Sequence, residues 1–371
     1  MRIGLVCPYN YYRPGGVQTC IRELARELDA RGHYVRIIAP KSRHLPDEIE
    51  DNVILLGSST ELNTPFHTKA DIGMAKNFEK IDQMFAEQKF DVLHIHEPGL
   101  PLLGVQLLAR SPTKNIGTMH ASLPGGMISK SFEKLMTPIA RFIEPRLDAV
   151  TAVSEVAKNI SLGYSPRLDI QVIPNGIHIK SYRPTATPKP TRKNVLFVGR
   201  LERRKGATHL LDAFKELSLQ DKDLELRIVG DGRLRSRLED RVEKEAIPNV
   251  HFYGFVSEQE KIKLLQEATI FCSPALFGES FGIVLLEAMA AGAVTVAGNN
   301  EGYVGLMTGR GAVSIVDPTN TKMFAARLSL LLNDAHHRGL WLDWAHDFVK
   351  EYDYGSVTDQ YEKLYKKVIR K

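Results

Sequence analysis

The stretch Phe277–Gly292, FGESFGIVLLEAMAAG, decides how the chain folds. Gly278 and Gly282 bracket Glu279, Ser280 and Phe281, and good helix formers then run unbroken from Ile283 to Ala291. Gly292 follows as a helix stop, and Ala293–Ala297 reads as a strand directly behind it. The local order is loop, helix, strand. The first turn of such a helix has unpaired N–H groups and partial positive charge, so it attracts an anion such as a diphosphate. Gly278 and Gly282 permit close backbone approach. Two carboxylates, Glu279 and Glu287, do not suit a phosphate but accept hydrogen bonds from the hydroxyls of a sugar or ribose. The plainer alternative makes Glu279 a cap and Glu287 a solvated helix residue. Glu287, however, lies in a run of small and apolar residues, and a buried charge needs a partner.

The segments before this stretch repeat the strand-then-helix order. Val195–Val198 is a strand, Gly199–Gly206 a charged loop and His209–Leu217 a helix. Leu224–Val229 is a strand ending in Gly230-Asp231-Gly232, followed by the helix Leu234–Glu245. Then come the strand Val250–Tyr253, the helix Glu258–Ala268 and the strand Thr269–Ser273. The loop GRLERRKG carries Arg200, Arg203, Arg204 and Lys205 at the carboxyl end of a strand, where α/β sheets bind ligands. Guanidinium forks and an ammonium suit a diphosphate without a metal, and the alternative is a solvated surface loop. Asp221-Lys222-Asp223 has an Asp-x-Asp form that can hold a divalent metal. It precedes a strand, away from the ligand edge, and reads as a turn.

The first half shows the same order. Arg2–Pro8 is a strand, Tyr9–Gly16 a loop with Pro14-Gly15-Gly16, Val17–Arg31 a helix and Tyr34–Ala39 a strand. Residues 41–75 carry little regularity, and Met74–Gln88 reads as a helix. His94 and His96 alternate in the strand Phe90–His96 and share a face, with no third ligand spaced to make a metal site. The strand Asn115–Met119 ends at His120, ahead of the loop Ala121–Gly126. Met127–Leu147 is amphipathic, with Lys130, Lys134, Arg141 and Arg146. The segment Ser181–Lys193, with Pro184, Pro188 and Pro190, reads as an interdomain linker. The helices Met323–Leu332, Gly339–Phe348 and Val357–Ile369 complete the chain.

At 371 residues the chain has room for two domains. Its 43% hydrophobic and 25% charged content is that of a globular protein, and a net charge of +5 is too small to imply nucleic acid. Cys7, Cys20 and Cys272 are scattered, without a CxxC pair, which argues for a reducing compartment and against a disulfide or metal framework. No apolar run reaches about 18 residues, and the N-terminus MRIGLVCPYN reads as a strand rather than a signal peptide. The expected location is cytoplasmic.

PGGVQ (14–18), DVLHIHEP (91–98), VIPNGI (172–177), VGRLERRKG (198–206), IVGDG (228–232) and GESFGIVLLEAMAAG (278–292) together resemble the retaining glycosyltransferases of family 4 over essentially the whole chain. Within the family, the opening RIGLVCPY and DVLHIHEP are most similar to the bacterial phosphatidylinositol mannosyltransferases, which use GDP-mannose. The resemblance implies an α/β chain of GT-B architecture, two Rossmann-like domains facing across a cleft. Residues 1–180 would be the acceptor domain, 181–350 the nucleotide-sugar domain, and 351–371 a helix crossing back to the first.

It also implies roles. Gly16, Arg200 and Lys205 would hold the diphosphate. Glu279 would contact the donor sugar, backed by the N–H groups of Ser280, Phe281 and Gly282, with Ile283 opening the helix behind them. Glu287 would bind the ribose, and Val256 and Lys261, at the ends of one segment, would frame the base. His120 would sit beside the sugar and complete a catalytic set with Glu279, Arg200 and Lys205. Tyr9 and Gln18 would face the acceptor. No metal or cofactor is implied. The expected partners are a sugar nucleotide, a lipid or polyol acceptor, and an anionic membrane surface on the inner face of the cell membrane. One departure stands out: the Met74–Glu87 helix has only Lys76 and Lys80 against Glu79, Asp82 and Glu87, so it lacks a dense basic patch. Met127–Leu147 either replaces that membrane contact or packs on its sheet. Competing readings are transfer from another sugar nucleotide to a soluble acceptor, a sugar-nucleotide epimerase, and a silent sugar-binding module.

Overall fold

The computed structural model describes residues 1–13, 15–42, 45–63, 69–75, 77–100, 103–120, 127–184 and 192–370. Pro14, Lys76, the loop 121–126, Pro188, Pro190 and Lys371 lie outside these, as does the side chain of Lys130. The chain divides into two compact units, Met1–Gly176 with Tyr354–Lys371, and Ile177–Asp353. The crossings therefore fall at Gly176 and Asp353, a few residues from 180 and 350.

Among the described residues, the first unit is built on a sheet of seven parallel strands and the second on one of six. The spatial order in the first is Val53–Leu56, Tyr34–Pro40, Arg2–Val6, Val92–His96, Lys114–Met119, Ala149–Ala152 and Ile170–Val172. In the second it is Val250–Gly254, Glu225–Val229, Asn194–Val198, Ile270–Ser273, Val294–Gly298 and Ile315–Val316. Each sheet starts in its middle, runs outward over two strands, then reverses and continues on the other side of the first strand. That reversal opens a crevice at the carboxyl ends of the two middle strands, where doubly wound sheets bind ligands. In the first unit the crevice lies beyond Val6 and His96. In the second it lies beyond Val198 and Ser273, so the loops 199–206 and 274–282 flank it.

Three local readings are corrected. Residues 41–75 contain the edge strand Val53–Leu56 and an antiparallel hairpin, Ser58–Asn63 with Lys69–Met74. Met74 therefore ends a strand. The helix expected there starts at Phe78, because the Asn77 side chain accepts from the Glu79 amide at 2.8 Å and caps it. Residues at both ends of the expected linker belong to the second unit. Ile179–Tyr182 is one helical turn, Tyr182 is buried in that unit's core, and Lys193 Nζ donates to Asn333 Oδ1 at 2.8 Å.

The C-terminal helix Tyr354–Ile369 packs in the first unit. Val357, Tyr361, Leu364, Tyr365 and Val368 join Ile3, Leu5, Ile21, Leu24 and Leu28 in one buried cluster. The second unit's core gathers Phe197, Phe214, Phe271, Tyr303, Phe324 and Trp341. No helix among the described residues is long and apolar enough to cross a membrane.

Candidate active site

The second crevice is lined by charge. After Val198 the loop tightens into a turn at Arg203–Lys205 and ends at Gly206, whose φ is +75°. A Cβ at Gly206 would lie 1.9 Å from the Pro274 carbonyl oxygen, so only glycine lets the two loops approach this closely. Four contacts then link five side chains in sequence. Arg200 Nη1 lies 3.0 Å from Glu202 Oε1, and Arg204 Nε lies 3.2 Å from Glu202 Oε2. Arg204 Nη1 lies 2.7 Å from Glu279 Oε1, and Lys205 Nζ lies 2.6 Å from the same oxygen. Three cations face two carboxylates, so this row of side chains carries one positive charge in excess. Arg200, at one end, is 53% exposed, whereas the other four lie at 14–26%. Burial pulls the Lys205 ammonium below its ordinary pKa, against the opposing pull of Glu279.

Glu279 is not a helix cap. The helix Ile283–Ala290 is entered from Gly282, at φ +110°, with no side-chain cap. A Cβ at Gly282 would press to 2.9 Å on the Tyr303 ring, so glycine fixes this entry. The aspartate turn at Asp221, where Asp223 N donates to Asp221 Oδ1, sits before Glu225–Val229, at the far end of the sheet from this crevice.

Glu287 is buried on that helix and has its partner. Its Oε1 accepts from Tyr182 Oη at 3.0 Å, and both carboxylate oxygens contact Lys261 Nζ, at 3.1 and 3.0 Å. Glu258 closes the ring: its Oε1 lies 3.0 Å from Tyr182 Oη and 2.8 Å from Lys261 Nζ. Tyr182 has one proton and serves one carboxylate at a time. Burial raises the Glu287 carboxyl, which Lys261 opposes. Burial lowers the Lys261 ammonium, but Glu287 and Glu258 outweigh it and the net shift is upward. Val256 packs against the core at the start of the same segment.

In the first unit His120 is buried at the end of its strand. Its amide donates to Glu97 Oε1 at 2.7 Å, and its Nε2 shares a proton with His96 Nδ1 across 2.7 Å. The His96 ring stacks on His94 with centroids 4.4 Å apart. His94 in turn bonds Tyr365 Oη and Thr118 Oγ1, at 2.7 and 2.6 Å. Burial pushes His94 and His120 down to about 3, so both rings are neutral near pH 7. Glu97 holds φ +52°, a left-handed backbone unusual outside glycine. Gln18 Nε2 donates to the Asn10 carbonyl at 3.2 Å, and Tyr9 is held neutral by burial and by Glu97. Gly16 opens the helix Gly16–Ala30, and a Cβ there would meet open space.

The fold supplies what spacing did not for the histidines. Cys20 and His120 come beside His96, with one ligand-type atom of each within 4.8 Å of the others. The 2.7 Å between His96 Nδ1 and His120 Nε2 is nonetheless a hydrogen bond. Two nitrogens on one tetrahedral zinc would stand about 3.3 Å apart. The group is a stacked imidazole relay rather than a formed metal site.

Sequence reasoning named Arg200, Lys205, Glu279, Glu287 and Lys261, and the second unit joins these into two charge clusters. It missed Arg204 and Glu202 as partners, although both stood in the quoted loop, and it missed Tyr182 and Glu258. Of the cationic amphipathic segment, Met136, Ala140 and Ile143 are buried, so this face packs inward. Phe142 is exposed, with the Arg146 guanidinium over its ring.

Two doubly wound parallel units, with cations and carboxylates at the second unit's ligand crevice, define a glycosyltransferase of the GT-B fold. The chain belongs to glycosyltransferase family 4. Residues 14–181 match the family described as Glycosyltransferase Family 4, and residues 179–341 the one described as Glycosyl transferases group 1. The phosphatidyl-myo-inositol mannosyltransferase of Mycolicibacterium smegmatis is 33% identical, over 99% of this chain and 94% of its own length. Sucrose-phosphate synthase from Thermosynechococcus elongatus superposes with a TM-score of 0.78 at 21% identity, over 99% of each chain. Anabaena HepE in complex with UDP does so at 0.78 and 18%, over 98% of this chain and 99% of its own.

Proposed function

We propose that this glycosyltransferase is retaining and metal-independent, and moves mannose from GDP-mannose to a hydroxyl of a lipid-linked acceptor such as phosphatidylinositol. The observation that carries the transfer chemistry is the charge chain from Arg200 to Lys205 at the second crevice. A departing nucleoside diphosphate develops negative charge, and fixed cations beside a helix N-terminus stabilise it without a metal. Glu279 and Glu287 then serve hydroxyls of the sugar and the ribose. His120, neutral and hydrogen-bonded, offers a polar group at the carboxyl end of its strand in the first unit. The mannose donor and the inositol lipid rest on the likeness to the M. smegmatis relative.

The test is incubation with GDP-mannose or UDP-glucose, with and without phosphatidylinositol vesicles, and with a chelator. A mannosylated lipid with the donor's anomeric configuration, formed equally with chelator present, is expected. Transfer only from UDP-glucose would overturn the donor. Acceptor-independent interconversion of sugar nucleotides would overturn transfer itself.

A soluble acceptor is favoured by one observation: the helix Phe78–Gln88 sets exposed Lys80 against Glu79, Asp82 and Glu87. The lipid reading is supported by Phe142 with Arg141 and Arg146, and by Lys363, Lys366, Lys367 and Arg370 near the end of the last helix. Each basic residue near an anionic bilayer contributes about 1 kcal/mol. Flotation should therefore show binding to anionic vesicles at low salt and release at high salt. No binding at low salt would move the acceptor to a soluble inositol phosphate or saccharide.

A further inference from the structure

We propose that Arg204 is a positioning residue, which keeps Glu279 aimed at the donor sugar when Arg200 and Lys205 turn to the diphosphate. The inference rests on the function proposed above. Along the charge chain the order is cation, carboxylate, cation, carboxylate, cation. Arg200 and Lys205 stand at its ends, and each has one contact within the chain to give up. Arg204 stands in the middle, between Glu202 and Glu279. Its guanidinium also donates to the Gly278 carbonyl at 3.3 Å, and its own carbonyl accepts from the Leu276 amide at 2.8 Å. Side chain and backbone thus both clamp the 276–279 segment to the loop after Val198.

Binding of a diphosphate redistributes these charges. When Lys205 leaves Glu279 and Arg200 leaves Glu202, Arg204 is the one cation of the chain still touching both carboxylates. Without it, neither carboxylate would keep a cation of the cluster beside a bound diphosphate, and like charges repel. A planar fork can hold two carboxylates at once, whereas an ammonium presents a single centre of charge. A lysine at 204 would therefore keep the charge and lose half of the grip. Lys205 has the complementary character, a single centre of charge pulled below its ordinary pKa by burial, which gains from a new anion.

The experiment compares Arg204→Met, Arg204→Lys, Glu279→Gln and the double variant Arg204→Met/Glu279→Gln. GDP affinity is measured by calorimetry, and kcat and KM by transfer from GDP-mannose. Arg204→Met should leave GDP affinity within roughly threefold and lower kcat roughly 10- to 100-fold, the worth of a charge-assisted contact. Arg204→Lys should recover part of that loss. The double variant should be no slower than Glu279→Gln alone, because Arg204 acts through that carboxylate. Losses that multiply in the double variant would overturn the proposal, as would a loss of GDP affinity with kcat preserved. A wild-type chain that binds no nucleoside diphosphate would sink the functional reading and this inference with it. A fully active wild type with multiplying losses would sink the inference alone.

Discussion

Lys205→Ala is expected to weaken GDP binding by roughly one to two orders of magnitude, and to abolish the alkaline pH dependence of what remains. The ammonium lies 2.6 Å from Glu279 Oε1 and is mostly buried, so it meets an incoming phosphate with little competing water. Its removal takes away one charge-assisted contact, worth about 1.5–3 kcal/mol, and leaves Glu279 closer to an anion with one less cation to screen it. The pH dependence has a definite sign. Burial disfavours the charged form first, Arg204 and Arg200 add like-charge repulsion, and Glu279 opposes both. The net shift is downward from the ordinary 10.5. Only the ammonium attracts phosphate, so affinity is full below the lowered pKa and falls as pH rises through it, in a window that opens below 10.5. A bound diphosphate favours the ammonium, so binding takes up a proton within that window. Calorimetry in two buffers of different ionisation heat should detect proton uptake by the wild type and none by Lys205→Ala. Equal uptake by both would assign the titration to another group.

The alternation of strand, glycine-bearing loop and helix was readable because each element is short and locally consistent. From it follows which loops lie at a ligand edge. The partners within those loops were not readable, and the reasons differ. For Glu287 the apolar surroundings demanded a partner, yet Lys261 is 26 residues away in sequence and Tyr182 is 105 away. No local pattern pairs residues at such distances. Tyr182 was also hidden by the prolines that follow it, which made a buried core residue look like linker. Arg204 failed for a subtler reason. In the tight turn Arg203–Lys205, Arg204 and Lys205 converge on one oxygen of Glu279 while Arg203 is exposed, and turn geometry alone decides which of three consecutive cations do so. The edge strand Val53–Leu56 has four residues, too few for alternation to register. In the imidazole relay the spacing of His94 and His96 did give their common face. Cys20 and His120 arrive from other elements of the unit, which no spacing along one strand reports.

Ending the chain after Asp353 is expected to unfold the first unit and leave the second folded. The lost helix, Tyr354–Ile369, contributes Val357, Tyr361, Leu364, Tyr365 and Val368, none more than 7% exposed. At about 1.5–3 kcal/mol for each large apolar side chain, their burial is worth roughly 7–15 kcal/mol, an estimate on the high side. A whole domain is stable by only about 5–15 kcal/mol. Truncation would also bare the apolar face of the helix Gly16–Ala30, where Ile21, Leu24 and Leu28 pack in the same cluster. His94 Nδ1 would lose Tyr365 Oη, its 2.7 Å partner. The second unit depends on none of these side chains: its core, from Phe197 to Trp341, lies wholly within Ile177–Asp353. Scanning calorimetry of the truncated chain should show one cooperative transition, and hydrogen exchange should find protection confined to residues 177–353. Tyr365→Phe separates packing from hydrogen bonding, since it keeps the ring and removes only the hydroxyl. It should cost about 1–3 kcal/mol, read as a lower melting temperature of the first unit alone. A truncated chain that retained protected amides in the strands Arg2–Val6 and Val92–His96 would show that the first sheet holds its core without the returning helix.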